Sequence, residues 1–192
     1  MKKFLRNIKF IGQLLRGKNH PGLSFTADVI QIKDGKEIWH GKNLSAWWNG
    51  LMDQGESNLL DAYFRGKNVP TTFYLGLGYH DDTPPSLPAE GSTLADITEE
   101  DGEGYSRIEV ERSEIGFPTL QQDVDGDYYV VSKQVTFQNT GTTDWSPINY
   151  LFLTDAASGN SGNLLATISL NYDTVLTPTT QLVCRIDKCK LS

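Results

Sequence analysis

Apolar side chains alternate with polar ones over most of the chain beyond residue 71, and this alternation limits the possible folds more than any other feature of the sequence. A repeat of two residues places successive side chains on opposite faces of a β-strand. Strand patterns separated by turn residues occur at 71–77, 106–111, 127–137, 148–152, 164–170 and 182–186. Six or more such strands predict a mainly β fold, an antiparallel β-sandwich of jelly-roll-like type, rather than a βαβ enzyme fold.

A hairpin and a helical segment precede these strands. Residues 25–39 read as two strands joined by the tight-turn dipeptide Asp34-Gly35. Asn43 is the expected N-cap of a first short helix, and Ser57 can cap a second one that Gly66 ends. The fold is therefore expected to include one or two short helices.

The first residues differ from the rest of the chain in charge. Residues 1–20 hold six basic side chains and no acid, whereas the rest of the chain holds 11 basic and 24 acidic groups. Four apolar side chains here follow helical spacing and form one stripe beside a basic remainder. The stripe consists of Phe4, Ile8, Ile11 and Leu15, and the basic side chains beside it include Lys2, Lys3 and Arg6. The pattern predicts an N-terminal amphipathic helical arm.

Three roles are open for this arm. Its stripe can pack on its own body or on a neighbouring subunit, which is the usual role of such a stripe. A basic amphipathic helix can also bind an anionic membrane surface, and a basic N-terminal segment can bind nucleic acid. The overall charge of −7 argues against a general nucleic-acid-binding surface, and no apolar run reaches the ~20 residues of a membrane span. We expect packing, with no membrane and no specific nucleic acid as partner.

The chain length suits one ordinary domain with an arm. Residues 1–22 form the arm, and the Pro21-Gly22 dipeptide reads as the break before the body. Residues 23–192 form a single β-sandwich domain with a helical insertion at about 43–65. A long acidic, Pro-rich loop is expected at about 80–104.

The sequence offers no recognisable catalytic constellation. The three histidines stand apart, and the phosphate-binding, zinc-protease and nucleophile-elbow patterns do not occur. Asp123, Asp125 and Asp127 are weak candidates for calcium, but their spacing does not match an EF-hand and fits an Asp-Gly turn better. We expect neither enzymatic activity nor a cofactor, and no metal site.

The two cysteines are too few for a disulfide framework. Cys184 shares the apolar face of Leu182 and Ile186, so it is expected in the core. Cys189 lies five residues later, which in an uninterrupted strand places it on the opposite face. It is expected to be exposed.

Trp47 and Trp48 are the most conspicuous aromatic pair. Adjacent residues of a helix point about 100° apart, so one tryptophan is expected in the core and the other at an interface. A sugar-binding groove that includes Trp39 is the alternative.

The order of elements resembles that of minor structural proteins from tailed-bacteriophage virions. The resemblance covers about residues 28–187 and rests on soft patterns of spacing and residue type. They are the Asp34-Gly35 hairpin, Asn43-Leu44, LLDAYF (59–64), FYLGL (73–77), the Pro-rich loop, GYSR (104–107), VTFQNT (135–140), NYLFLTD (149–155) and GNLL (162–165). It implies a non-enzymatic β-sandwich subunit, made in the bacterial host cytoplasm and carried on the virion.

Three functions follow as hypotheses. The first is an accessory or decoration protein on the head surface or neck, homo-oligomeric and bound to capsid, neck or tail subunits. It would bind them through its arm and through an acidic face formed by residues 81–127, which hold 14 acidic and two basic side chains. The second is a tail-fibre or baseplate component that binds a carbohydrate receptor. The third is a hydrolase that uses acids of the 81–127 region, for which the sequence shows no matched carboxylate pair.

Overall fold

The computed structural model describes residues 23–44, 50–67, 70–80 and 87–191. These residues are mainly β, with antiparallel pairing throughout, one α-helix and one short 3-10 helix. The elements in chain order are β1 (Leu23–Lys33), β2 (Lys36–Leu44), β3 (Gly50–Leu51), α1 (Asp53–Phe64), β4 (Thr72–Gly78), the 3-10 helix (Leu94–Asp96), β5 (Ile108–Glu111), β6 (Thr119–Gln122), β7 (Tyr128–Val131), β8 (Val135–Gln138), β9 (Ile148–Thr154), β10 (Leu164–Thr174) and β11 (Gln181–Leu191).

The strands form two groups that a very short strand joins. One group has the order β5-β4-β9-β10, and the other has the order β1-β11-β7-β6, with β2 on β1 and β8 on β11. Gly50 of β3 pairs with Ser24 of β1 and with Thr167 of β10, so it links the groups by backbone hydrogen bonds. The hydrogen-bonded network is therefore continuous across the described residues.

Both strand groups contribute side chains to one large apolar core. Its buried members include Val29, Phe137 and Ile186 from the β1-β11 group and Leu77, Val110 and Ile168 from the β5-β10 group. The inward positions alternate with exposed ones along β8, as the period of two predicts. The packing is sandwich-like; the jelly-roll-like connectivity stays a prediction.

β9 departs from simple alternation because all seven of its residues are buried. One face points into the main core, and the other is covered by a second cluster that contains Met52, Leu94 and Phe152. The cover comes from Met52, just before α1, and from the chain that begins at Leu87, within the predicted loop. That loop is thus packed on the sheet from residue 87 onward, while residues 81–86 lie outside the described residues.

At the residues that the structure describes, the helical insertion differs from the prediction. Asn43, the predicted N-cap, lies in β2 with φ +49°, and its N–H donates to Asp28 Oδ1 at 3.0 Å. Leu51, expected in the first helix, lies in β3. α1 starts at Asp53, and Ser57 is an interior residue of it rather than its cap. At Leu44 and Leu51, strand pairing with β1 and β10 has overridden the helical spacing, while residues 45–49 lie outside the described residues.

A β-bulge in β11 overturns the prediction for Cys189. Thr26 of β1 pairs with Lys188 and Ala27 pairs with Ile186, so Asp187 is an extra residue in β11. The bulge returns Cys189 to the core side, where it is partly buried against the main core, opposite Phe25. Burial raises the pKa of the Cys189 thiol to about 12. Cys184 is buried as predicted, and both thiols are free.

Gly76 on β4 provides a test of the core packing. A Cβ at this position would lie 2.3 Å from Cζ of the fully buried Phe152 ring. We expect Gly76→Ala to lower the free energy of unfolding by about 1–3 kcal/mol, because the buried ring has little room to move. Denaturant titration followed by circular dichroism measures this.

Gly91→Ala is the matched control. A Cβ at Gly91 would meet its nearest neighbour, Asp53 Oδ2, at 3.5 Å, an ordinary contact. Its effect should stay within about 0.5 kcal/mol. Equal stability of the two variants would contradict the packing described for Gly76.

Candidate interaction surface

α1 packs on the sheet through its small and polar residues. Gly55 is its buried residue, and a Cβ there would lie 2.3 Å from the Leu165 carbonyl oxygen of β10. Gln54 Oε1 accepts a hydrogen bond from the N–H of Leu164 at 2.7 Å, and the Met52 N–H donates to the Leu165 carbonyl at 2.8 Å. Only glycine permits this close approach, so this side of the helix is fixed against β10.

Another side of α1 exposes large apolar residues. Leu59, Leu60, Tyr63 and Phe64 lie at i, i+1, i+4 and i+5, which is one side of a helix. Tyr63 and Phe64 are 80% and 75% exposed, and their rings form an edge-to-face pair with centroids 5.0 Å apart. We call these four side chains the α1 apolar face. A cluster of this kind on a protein surface marks an interaction site.

The end of α1 is held by ion pairs on its polar side. Asp61 accepts from Lys67 Nζ and Arg65 Nη1, each at 2.6 Å, and Gly66 follows with φ +62°. The hydrogen bond from Lys67 is the main cause that lowers the pKa of Asp61. The helix ends at Phe64, before Gly66, as the sequence predicted.

A second exposed apolar surface lies on the hairpin of β6 and β7. Leu120 and Tyr128 are 68% and 62% exposed. The register pairs Leu120 with Val130 and Gln122 with Tyr128, so these four residues share one face of the hairpin. β6 ends the strand order, which makes it an edge strand within the described part of the chain. The sequence analysis did not predict β6, because TLQQ lacks apolar alternation.

The three aspartates considered for calcium form the turn of this hairpin. Asp123 Oδ1 accepts the N–H groups of Asp125 at 3.0 Å and Asp127 at 3.1 Å. Lys190 Nζ lies 2.7 Å from Asp123 Oδ2 and 2.8 Å from Asp127 Oδ2. The ammonium group of β11 thus stands where a cation would bind. Among the described residues no His, Cys, Asp or Glu group of three or more is arranged to hold a metal ion.

A polar groove of about 410 Å³ lies over β2, β1 and β11. Arg185 Nη2 contacts Asp28 at 2.6 Å and Asp187 at 3.1 Å, so the groove's charged groups are largely engaged with one another. The groove is lined by Asp28, Ile30, His40, Lys42, Asn43, Gln134, Val183, Arg185 and Asp187. The contacts described for this groove are ion pairs of Arg185 with Asp28 and Asp187. They do not resemble the pairing of a nucleophile with a base that covalent catalysis uses.

An ion pair between the buried Arg107 and the partly buried Glu99 fixes the chain that covers β9. The Arg107 guanidinium donates to Glu99 through Nε at 2.8 Å and Nη2 at 2.7 Å, and also to the carbonyls of Ala156 and Gly159. The Tyr105 hydroxyl donates to Glu99 Oε1 at 2.8 Å and accepts the Leu77 N–H. Burial, and next the Glu99 carboxylate, raise the pKa of Tyr105. With its hydrogen bonds satisfied, this network is structural.

Most of the predicted partner-binding residues fall outside the described residues. They are Lys2, Lys3, Phe4, Arg6, Ile8, Ile11, Leu15, Trp47 and Trp48. Trp39, the third tryptophan of the proposed sugar-binding patch, is partly buried against the main core. The sequence placed the α1 apolar residues on a helix but did not predict that they face outward. In the described part of the chain, no helix is long and apolar enough to cross a membrane.

The hairpin turn predicts a pH effect. The Lys190 ammonium is the main cause that lowers the pKa of Asp123. The ionised Asp123 carboxylate therefore stabilises the fold at pH values above the ordinary aspartate pKa. This contribution is lost as the pH falls through the lowered value. Lys190→Met should raise the pKa of Asp123 toward its usual range and weaken the acid dependence of stability.

NMR pH titration of the side-chain carboxyl carbons measures both aspartate pKa values in one experiment. Asp61, held by Lys67 and Arg65, is the internal control and should not change. An unchanged Asp123 pKa in K190M would contradict the assignment of its shift to Lys190.

The comparisons with known proteins concern the same part of the chain. A family model described as "Podophage GP4 fiber I protein gp80" matches residues 50–192, which begin at β3 and include α1 and the β6–β7 hairpin. No curated protein matches the chain. The match indicates a structural protein of the phage virion, and does not single out a capsid decoration protein. Since it covers well over half of the chain, this protein belongs to the podophage GP4 fiber I protein gp80 family.

Proposed function

We propose that the protein is a non-enzymatic subunit of a fibre assembly on the phage particle. The family match over residues 50–192 carries this proposal. The match supports a phage structural role and fits the fibre alternative of the sequence analysis about as well as head decoration; the fibre position is our proposal. Receptor binding by such a fibre stays a prediction, since Trp47 and Trp48 lie outside the described residues.

The polar chemistry of the described residues supports a structural role. The Arg107–Glu99–Tyr105 network joins loop to sheet, and the Arg185 ion pairs hold β1 to β11. Lys190 likewise holds the β6–β7 turn. Each cluster has its charged groups paired internally, which stabilises a rigid body and leaves few poised groups for catalysis.

The exposed apolar side chains support a role in assembly. Soluble monomers rarely leave contiguous apolar patches on their surface, whereas subunits of larger particles do. The α1 apolar face and the β6–β7 hairpin are two such patches, on different elements. The described residues therefore offer two separate apolar surfaces at which other protein segments can bind.

Localisation on purified particles tests the fibre proposal. Gold-labelled antibody against the body should decorate fibres in electron micrographs, and particles made without the gene should lose fibre density while retaining filled heads. Label spread over the head surface would overturn the fibre position in favour of decoration. Absence of label from purified particles would overturn the virion role.

We also propose that the subunit self-associates through the β6–β7 hairpin. The outer edge of β6 offers backbone N–H and C=O groups that a second β6 can pair antiparallel about a two-fold axis. Leu120 and Tyr128 then lie at the junction, where their burial adds apolar contact.

Light scattering on the full chain tests this association. Wild-type protein should have a multiple of the 21.4 kDa chain mass, and the double variant Leu120→Ser/Tyr128→Ser should shift toward the single-chain mass. Tyr63→Ser/Phe64→Ser, which removes as much exposed apolar surface elsewhere, is the control and should keep the wild-type mass. A wild-type monomer, or an unchanged mass in the hairpin variant, would contradict the proposal.

A further inference from the structure

The polar groove over β2, β1 and β11 has no part in the assembly proposed above. Its apolar lining is Ile30 and Val183, which pair with each other across β1 and β11. Their neighbours in sequence, Val29 and Cys184, are buried in the core, so Ile30 and Val183 lie on the outer face of the sheet. The groove thus has a small apolar strip on its two central strands.

Several polar groups beside this strip have no partner among the described residues. The side chains of Lys42, Asn43 and Gln134 line the groove, and within the described part of the chain they make neither a hydrogen bond nor an ion pair. The Nε–H of Arg185 is buried and has no acceptor there either. Unsatisfied donors of this kind are uncommon in folded proteins, and a bound polar group or an ordered water is their usual partner.

The charged groups of the groove are already held in position. Arg185 Nη2 lies 2.6 Å from Asp28 Oδ2 and 3.1 Å from Asp187 Oδ1, and Asp28 Oδ1 accepts the N–H of Asn43 at 3.0 Å. An ionised carboxylate can accept about four hydrogen bonds, so both aspartates retain acceptor capacity. Because these side chains are ordered in advance, a ligand does not have to order them when it binds.

The charge balance favours an uncharged ligand. Asp28 and Asp187 balance Lys42 and Arg185 when histidine is counted as neutral, and the whole chain carries a formal charge of −7. A strongly anionic ligand is therefore not attracted to this surface. Acceptors and donors stand side by side in the groove, which suits hydroxyl groups because each of them both donates and accepts hydrogen bonds.

We propose that this groove binds a neutral oligosaccharide. The C–H faces of the sugar rings lie on Ile30 and Val183, while Lys42, Asn43 and Gln134 donate hydrogen bonds to the hydroxyl groups. The volume of about 410 Å³ is within the range of ligand-binding sites, and the combination of an apolar strip with a few polar groups is typical of them. A receptor role for the groove rests on the proposed fibre function, whereas sugar binding by the purified chain does not.

Amide NMR spectra of the full chain test the site with defined sugars. The neutral probes are oligosaccharides of glucose, galactose, mannose and N-acetylglucosamine, and oligogalacturonate is the acidic counterpart. At least one neutral probe should shift the signals of Ile30, Asn43 and Val183 in a saturable manner. The absence of such shifts with every neutral probe, or tighter binding of oligogalacturonate, would overturn the proposal.

A pair of double variants assigns the binding to the groove. Lys42→Ala/Gln134→Ala removes two side chains without internal partners and should raise the Kd of the neutral probe about tenfold or more, because hydrogen bonds to hydroxyl groups are lost. Lys36→Ala/Gln138→Ala changes the same residue types on β2 and β8 outside the groove, and should leave the Kd unchanged.

The same Kd in both variants and the wild type would refute the assignment to the groove. The fibre proposal fails separately, because it depends on where antibody labels the particle and not on binding by the purified chain.

Discussion

The pairing of β1 with β11 is the interaction on which the rest of the described structure depends. Ten residue pairs join the two strands, from Leu23 with Leu191 to Ile32 with Gln181. β2 and β3 attach to β1, while β7 and β8 attach to β11. The pairing closes a loop of more than 140 residues, whose entropic cost the whole sheet must offset. The family match begins at residue 50, so it contains β11 but not the strand that pairs along its full length.

The strands were predictable wherever one face packs on the core and the other meets solvent. β8 shows this directly, with Val135 and Phe137 buried between exposed neighbours. The sequence could not show that Asp187 is a bulge, because a bulge is defined by pairing with β1, and it therefore gave Cys189 the wrong face. Likewise, Leu44 and Leu51 fit a helical spacing in the sequence, yet each pairs with a distant strand, Leu44 with β1 and Leu51 with β10.

The sequence indicates which residues form the α1 apolar face, but not that these side chains point toward solvent. Periodicity places Leu60 and Phe64 on one side of a helix, and the usual rule assigns that side to the core. Gly55 reverses the assignment, because it alone allows the helix to lie against the Leu165 carbonyl. The cation at the Asp123 turn was hidden for a similar reason: Lys190 lies 67 residues away in sequence and reaches the turn only through the pairing of β11 with β7.

The outward orientation of α1 follows from how β9 is covered. The chain from residue 87 to Arg107 already covers most of the outer face of β9, and the Arg107–Glu99 pair keeps it there. Breaking that pair would leave the buried Arg107 guanidinium without a counter-charge, so this cover does not readily move aside. Met52, the residue before α1, lies in the same cluster. The helix itself lies beside the cover, where its small residues fit against β10 and its large ones do not. The apolar face is thus a consequence of a rigid body, and a segment added outside that body can cover it without any rearrangement of the core.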